Sequence, residues 1–440
     1  MCRSALWYVF KTSGNAYILN RNAFFLIFRV FIFWGTVCDP YRTVALRMQC
    51  YHECYIYDFQ SADDTYAFHY IPNDTSAVFM ENVLLKVMNH SILDQLPTAV
   101  NVLRIEYSVA LKWISVPQNL YAVEIIGTSL ERIDFKANSA VKMLQIQVCD
   151  LVKVPPAMEN AENLIVLEIL RCKLLDLDMA SFCENPFLRY INLKDNRIRY
   201  VVNTSKKHCG MYNTLTHFLL QGNRLTTVNM EQWNVFVKLD TLSLVQNRIT
   251  SISGQLVQHK LQTLSLHMNR LKHISTCGWY VPSLKKVDFS RNQLTVLPEC
   301  INNLTSVRKL SLGYNRLANF SIESVAGMSN MTELGLACNG LTAILLNSVL
   351  FPPKLAKLDV TKNYLTSLDL TFVPVKALEV HAFSNLISSF DVNGTSPNVS
   401  HAYMLANPFC CSWEMPFEWE HVECSCSHTI TNRKASPHCP

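Results

Sequence analysis

Glycine is scarce in this chain, 12 of 440 residues, and charged residues make up only 17%. Beside an apolar share of 49%, that scarcity fits a continuous stacked core. No basic run is long enough to track a nucleic acid, and 39 basic against 34 acidic residues leaves a net charge of only +5, which argues against polyanion binding. G-x-S-x-G, H-E-x-x-H and P-loop motifs are absent as well, so neither an enzyme nor a cofactor is expected. After residues 23–37 no second apolar span follows, and a conventional C-terminally anchored receptor is not expected.

What the chain has is a repeat. The stretch LQTLSLHMNRL (261–271) reads LxxLxLxxNxL, and LDTLSLVQNRI, LKKVDFSRNQL, VRKLSLGYNRL, MTELGLACNGL and LAKLDVTKNYL share its frame. Their asparagines, Asn247, Asn269, Asn292, Asn315, Asn339 and Asn363, stand 22 to 24 residues apart. Weaker copies add Asn196, Asn223 and Asn385, and toward the N-terminus the same slot holds Cys172, Cys149, Thr128 and Ser108. The two leucines flanking one residue face inward from a short strand, and the chain must then turn inward with its backbone groups unpaired. A side-chain amide offers both donors and an acceptor, so the asparagines are read as a structural ladder between repeats.

A period in this range is that of leucine-rich repeats, and about 13 fit between residues 77 and 400. The fold class expected is an α/β solenoid, a leucine-rich-repeat horseshoe with a parallel concave sheet and cysteine-containing end caps. Because each repeat packs only on its neighbours, one elongated domain is expected despite the length. The divisions are 1–38, a signal peptide or signal anchor; 39–76, an N-terminal cap; 77–400, the repeats; and 401–440, a C-terminal cysteine-rich cap.

Residues 23–37 have about the length of a signal-peptide core, interrupted by Arg29, and are read either as a cleaved signal or as an anchor. Sixteen cysteines and eight N-x-S/T sequons agree with a secretory route. Cys277 and Cys300 each lie eight residues past a ladder asparagine in adjacent repeats, which places them within disulfide reach; Cys183 and Cys209 are similarly disposed. Either pair is read as a bridge or as two buried thiols. For Cys149 and Cys172, on the ladder itself, a reduced buried thiol is expected. The C-terminal cap holds Cys410, Cys411, Cys424, Cys426 and Cys439, an odd number. Its C-x-C spacing speaks for disulfides rather than zinc, and Cys424 or Cys426 is a candidate for an interchain bond.

Outward strand positions are the expected partner surface. The column two residues before the ladder runs through Lys194, Gln221, Val245, His267 and Ser290, whose weak charge suits a close-fitting protein partner. Ser265, His267 and Asp288 on adjacent strands superficially suggest a hydrolytic set, but no nucleophile elbow or oxyanion donor accompanies them.

The repeats with both caps resemble extracellular leucine-rich-repeat proteins. CYIYDF (54–59), NPFCCSW (407–413) and the irregular early repeats more narrowly resemble the mosquito leucine-rich-repeat immune proteins. That resemblance, over most of residues 50–440, implies a haemolymph protein working with a complement-like thioester protein, often as a disulfide-linked pair with another leucine-rich-repeat chain. The chain stops at Pro440, where the family's coiled coil would follow. The expected function is a secreted binding or scaffold protein in innate immune recognition, acting through the concave face and caps. A membrane-anchored receptor or adhesion module is the alternative.

Overall fold

A strand whose alternate side chains are leucine has one apolar edge and one open edge. Leu239, Leu242 and Leu244 are fully buried, while Thr241 and Ser243 lie half-buried on the open side; Leu261, Leu264 and Leu266 repeat the arrangement. In the computed structural model, which describes residues 7–12, 15–20, 45–205, 209–408 and 422–423, such segments become short strands stacked in parallel. Each leucine so buried contributes roughly 1.5–3 kcal/mol.

The chain comprises two compact units, Met1–Leu215 and Thr216–Pro440.

The first unit opens with Trp7–Thr12 paired antiparallel to Asn15–Asn20. Residues 23–37 lie outside the described residues. Arg47–Cys50 and Cys54–Tyr57 then form an antiparallel hairpin closed by a Cys50–Cys54 disulfide. Cys54–Tyr57 is followed in parallel by Ala77–Glu81, Val102–Glu106, Ala122–Ile126, Met143–Gln147, Val166–Leu170 and Tyr190–Asn192. The opposite wall starts as a small parallel sheet of Val87–Met88, Trp113–Val116 and Arg132–Phe135, and continues as 3-10 turns at Pro156–Asn160 and Met179–Phe182.

In the second unit the parallel sheet runs from His217–Leu219 through Thr241–Ser243, Thr263–Ser265, Lys286–Asp288, Lys309–Ser311, Glu333–Gly335, Lys357–Asp359 and Leu378–His381 to Val399–Tyr403. Its opposite wall is again 3-10 turns, such as Met230–Trp233 and Ile322–Val325, with two strand pairs. Among the described residues the α part of this α/β solenoid is reduced to one turn at His90–Leu93. Repeats of 22 to 24 residues leave too little chain for a longer helix between strands.

Just before the ladder slot the backbone turns left-handed, mostly without glycine. Tyr107, Val148, Arg171 and Asp195 in the first unit, and Gln246, Met268, Arg291, Tyr314, Lys362 and Ser384 in the second, have φ between 46° and 58°. Hydrogen bonds hold them there: the N–H of Val148 donates to the Leu170 carbonyl at 2.9 Å, and that of Gln246 to the His267 carbonyl at 2.8 Å. A β-branched residue suffers most in this region, where the L-residue penalty is about 1–2 kcal/mol. Val148→Gly is therefore expected to stabilise the protein by about 0.5–1 kcal/mol, after the greater unfolded-state entropy of glycine is subtracted. Denaturant unfolding checks it; a midpoint at or below that of the wild type counts against the strain.

Candidate interaction surface

The register brings Gln221, Val245, His267 and Ser290 side by side in the second unit. Gly222 N–H donates to the Val245 carbonyl at 2.9 Å, Gln246 N–H to His267 at 2.8 Å, and Met268 N–H to Ser290 at 3.1 Å. Lys194 stands in the first unit, 3.9 Å from Asp195. Beyond Ser290 the row shrinks to Gly313 and Ala337. A Cβ at Gly313 would come within 2.9 Å of the Ala337 carbonyl oxygen, so the strands leave no space for a larger residue.

His267 meets Ser290 rather than Ser265: its Nδ1 lies 2.8 Å from Ser290 Oγ. Ser290 Oγ in turn hydrogen-bonds Asp288 Oδ1, which also accepts from Ser290 N at 2.9 Å. The serine thus stands between imidazole and carboxylate. In a hydrolytic triad the imidazole stands in the middle, where the acid orients it and it takes the hydroxyl proton. Here the acid binds the hydroxyl directly, and the arrangement is a polar clasp across two strands.

At the far end of the same sheet the open face becomes aromatic. The His381 and Tyr403 ring centres are 4.6 Å apart, those of Phe383 and Tyr403 5.8 Å, and those of His401 and Tyr403 5.8 Å. Glu379 is hydrogen-bonded to His381, which holds its carboxyl below the usual range, and Lys357 lies 3.7 Å away.

The first unit carries a different surface. Tyr55 and Phe79 stack with ring centres 4.9 Å apart, and a recess of about 240 Å³ is lined by Tyr55, Tyr57, Phe79, Met80, Glu81, Arg104 and Glu106. Arg104 bonds Glu106 at 2.6 Å and reaches Glu124 at 3.5 Å. Burial opposes its charge, but the bond to Glu106 and the two carboxylates prevail and lift its pKa. The Tyr55 hydroxyl donates to Glu53 at 3.1 Å, which pushes the phenol up. Arg47 pairs with Asp58 at 3.1 Å and covers the Tyr57 ring.

Behind the face, each asparagine from Asn247 to Asn385 in the second unit ties its own repeat to the preceding one. Asn269 Nδ2 donates to the Leu244 and Leu266 carbonyls, both at 2.9 Å, while its Oδ1 accepts from Ile249 N at 3.0 Å. Asn247, Asn292, Asn315, Asn339, Asn363 and Asn385 make the equivalent bonds. In the first unit Asn196 bonds Ile169, Leu193 and Leu174 in the same way. Asn223 donates to Leu220 within its own repeat.

A profile described as Leucine rich repeat matches residues 237–294 and 259–317. The repeats are leucine-rich repeats. Toll-like receptor 9 of Mus musculus is 30% identical over 189 residues, which is 40% of this chain and 18% of the receptor. The chain spans less than two thirds of the curated leucine-rich-repeat relatives it matches. Among solved structures, a leucine-rich-repeat protein of Leptospira interrogans superposes with a TM-score of 0.57 at 17% identity, over 80% of this chain and 95% of that one. A chain of the LRIM1/APL1C complex gives 0.55 at 17% identity, over 81% and 62%. At that identity both likenesses show the leucine-rich-repeat fold alone.

Disulfides clip the leucine-rich repeats together. Cys277–Cys300 and Cys183–Cys209 are bonded, with Cα atoms 5.0 and 4.3 Å apart. Cys149 and Cys172 are bonded too, which corrects the expectation of reduced ladder thiols. Parallel stacking sets adjacent slots 4.7 Å apart at Cα, inside the disulfide range, so two cysteines in successive slots meet. Cys338, to which the sequence pattern draws no attention, is also disulfide-bonded. Cys410, Cys411, Cys424, Cys426 and Cys439 lie outside the described residues.

Two further features are not among the sequence-based expectations. Asn407, placed in the cap by the sequence divisions, is a ladder rung: Nδ2 donates to Ala382 O at 2.9 Å and Oδ1 accepts from Ile387 N at 3.1 Å. Its spacing of 22 residues from Asn385 is the signal that finds it. Tyr55, Tyr57, Phe79 and Glu81 extend the outward columns past Arg104, as continued strand alternation through 54–57 and 77–81 would have shown.

Proposed function

We propose that this leucine-rich-repeat chain is a secreted binding or scaffold protein of innate immune recognition, which holds protein partners on its open sheet face and caps. One observation carries the reading: the outward row Val245, His267 and Ser290 leads into Gly313 and Ala337, a floor of small, weakly charged side chains on which a partner's backbone can lie close. The disulfides within the repeats favour an oxidising compartment, hence secretion. Likeness to Toll-like receptor 9 supports an immune role, and the LRIM1/APL1C complex supports a second leucine-rich-repeat chain as partner; a complement-like thioester protein is the partner that the resemblance to the mosquito immune proteins implies. An interchain disulfide through Cys424 or Cys426 belongs to the same reading. No helix among the described residues is long and apolar enough to cross a membrane. The apolar run 23–37 supports the alternative of a membrane-anchored receptor, and its retention or removal in the mature protein separates the two readings.

The triple variant Val245→Lys, His267→Glu, Ser290→Lys tests the surface. It is expected to weaken the protein partner's binding at least tenfold in a titration while leaving the melting temperature within a few degrees of wild type. Undiminished binding would place the contact elsewhere.

A further inference from the structure

The recess in the first unit has walls and charges of a particular kind. Tyr55, Tyr57 and Phe79 supply aromatic walls, with Tyr55 and Phe79 stacked on each other, and Glu81 and Glu106 reach its rim. Around it stand five carboxylates, Glu53, Asp58, Glu81, Glu106 and Glu124, against two guanidiniums, Arg47 and Arg104. Both guanidiniums are engaged, Arg47 by Asp58 and Arg104 by Glu106 and Glu124. Glu81 is exposed and, among the described residues, has no cation to pair with. An aromatic-walled recess with an unneutralised carboxylate at its edge attracts a cation twice over, by the ring quadrupoles and by direct charge.

We propose that this recess receives the arginine or lysine side chain of a protein partner, its aliphatic stem lying against the aromatic walls and its charged head meeting Glu81. The proposal rests on the sheet face being the partner surface, and it names the partner's chemistry there. Arg104 has a positioning role: held by Glu106 and Glu124, it packs its guanidinium 6.0 Å from the centre of the Phe79 ring and braces that wall. An anionic partner segment would be repelled by Glu81, and a neutral one would leave its charge uncompensated.

Saturation-transfer NMR on the full chain with capped pentapeptides tests it: Gly-Gly-Arg-Gly-Gly, its citrulline counterpart, and Gly-Gly-Glu-Gly-Gly. The arginine peptide is expected to bind at least fivefold more tightly than the citrulline peptide, with saturation concentrated on the arginine methylenes, and the glutamate peptide not to bind. Glu81→Lys should abolish the arginine signal and Tyr57→Leu should weaken it at least threefold. Glu159→Lys, on the opposite wall of the same unit, should change nothing. Equal binding of arginine and citrulline peptides, a signal surviving Glu81→Lys, or an equal loss with Glu159→Lys overturns the proposal, as does tighter binding of free spermidine than of the arginine peptide. Should the triple face variant (Val245→Lys, His267→Glu, Ser290→Lys) lose the protein partner while Glu81→Lys retains it, the face reading stands and the recess proposal falls.

Discussion

Asn292→Leu is expected to destabilise the protein by several kcal/mol, although leucine is similar in size and more apolar. The buried Asn292 amide donates to the Leu266 and Phe289 carbonyls at 3.0 Å, and its oxygen accepts from Leu271 N at 3.0 Å. Leucine would leave Leu271 N–H and Leu266 C=O without these bonds in the interior. At roughly 1–3 kcal/mol for each orphaned buried group, the loss is about 2–6 kcal/mol. Thr295→Ala, at an exposed position three residues on, should cost less than about 0.5 kcal/mol. Denaturant melts of the three proteins measure the difference; equal midpoints for Asn292→Leu and wild type would remove the ladder's structural role.

A loss of similar size should follow from emptying the aromatic core of the second unit. Trp233 is fully buried, edge-on to Phe218 with ring centres 5.1 Å apart and tilted against Phe236 at 6.3 Å. Trp233→Ala is expected to cost about 3–5 kcal/mol, lost transfer energy plus an unfilled cavity. Trp233→Phe should cost far less. It keeps a ring against Phe218 and removes an indole N–H that finds no acceptor among the described residues, so part of the lost volume is offset by a buried donor no longer left unsatisfied. Chemical denaturation followed by far-ultraviolet circular dichroism distinguishes the two. A Phe variant as unstable as the Ala variant would mean that the indole nitrogen has a partner after all.

How much of this is legible in the sequence depends on the kind of residue. Leu242, Leu244 and Asn247 announce themselves, because a strand period of two joined to a buried amide at a constant offset is a pattern that hardly any other fold produces. Phe79 and Tyr55 do not, since the slots that would align them hold Val83 and Phe59 rather than asparagine. The clasp of His267 with Ser290 is out of reach for another reason: spacing gives the neighbouring strand but not which of two serines an imidazole will turn to. The Cys149–Cys172 bond escapes the sequence because identity and spacing fit a thiol and a disulfide equally well, and only the close approach of adjacent slots decides between them. Left-handed turns usually betray themselves through glycine, yet Gln246, Met268 and Tyr314 occupy them, held by bonds to the next strand that no local pattern records.

The asparagine ladder also has an arrow. From Asn247 onward each amide reaches back to the repeat before it: Asn269 to Leu244 and Ile249, Asn363 to Leu336 and Leu341, Asn407 to Ala382 and Ile387. Every repeat is therefore left incomplete until the one after it has been made, and is completed by it. A chain leaving the ribosome from its N-terminus finishes its rungs in the order in which they are synthesised, with one unfinished turn at the growing end at any moment. Losses from the two ends are then unequal. Removing a repeat from the front leaves an amide with its own carbonyls still in reach, whereas removing one from the back strips the preceding turn of its donor and its acceptor together.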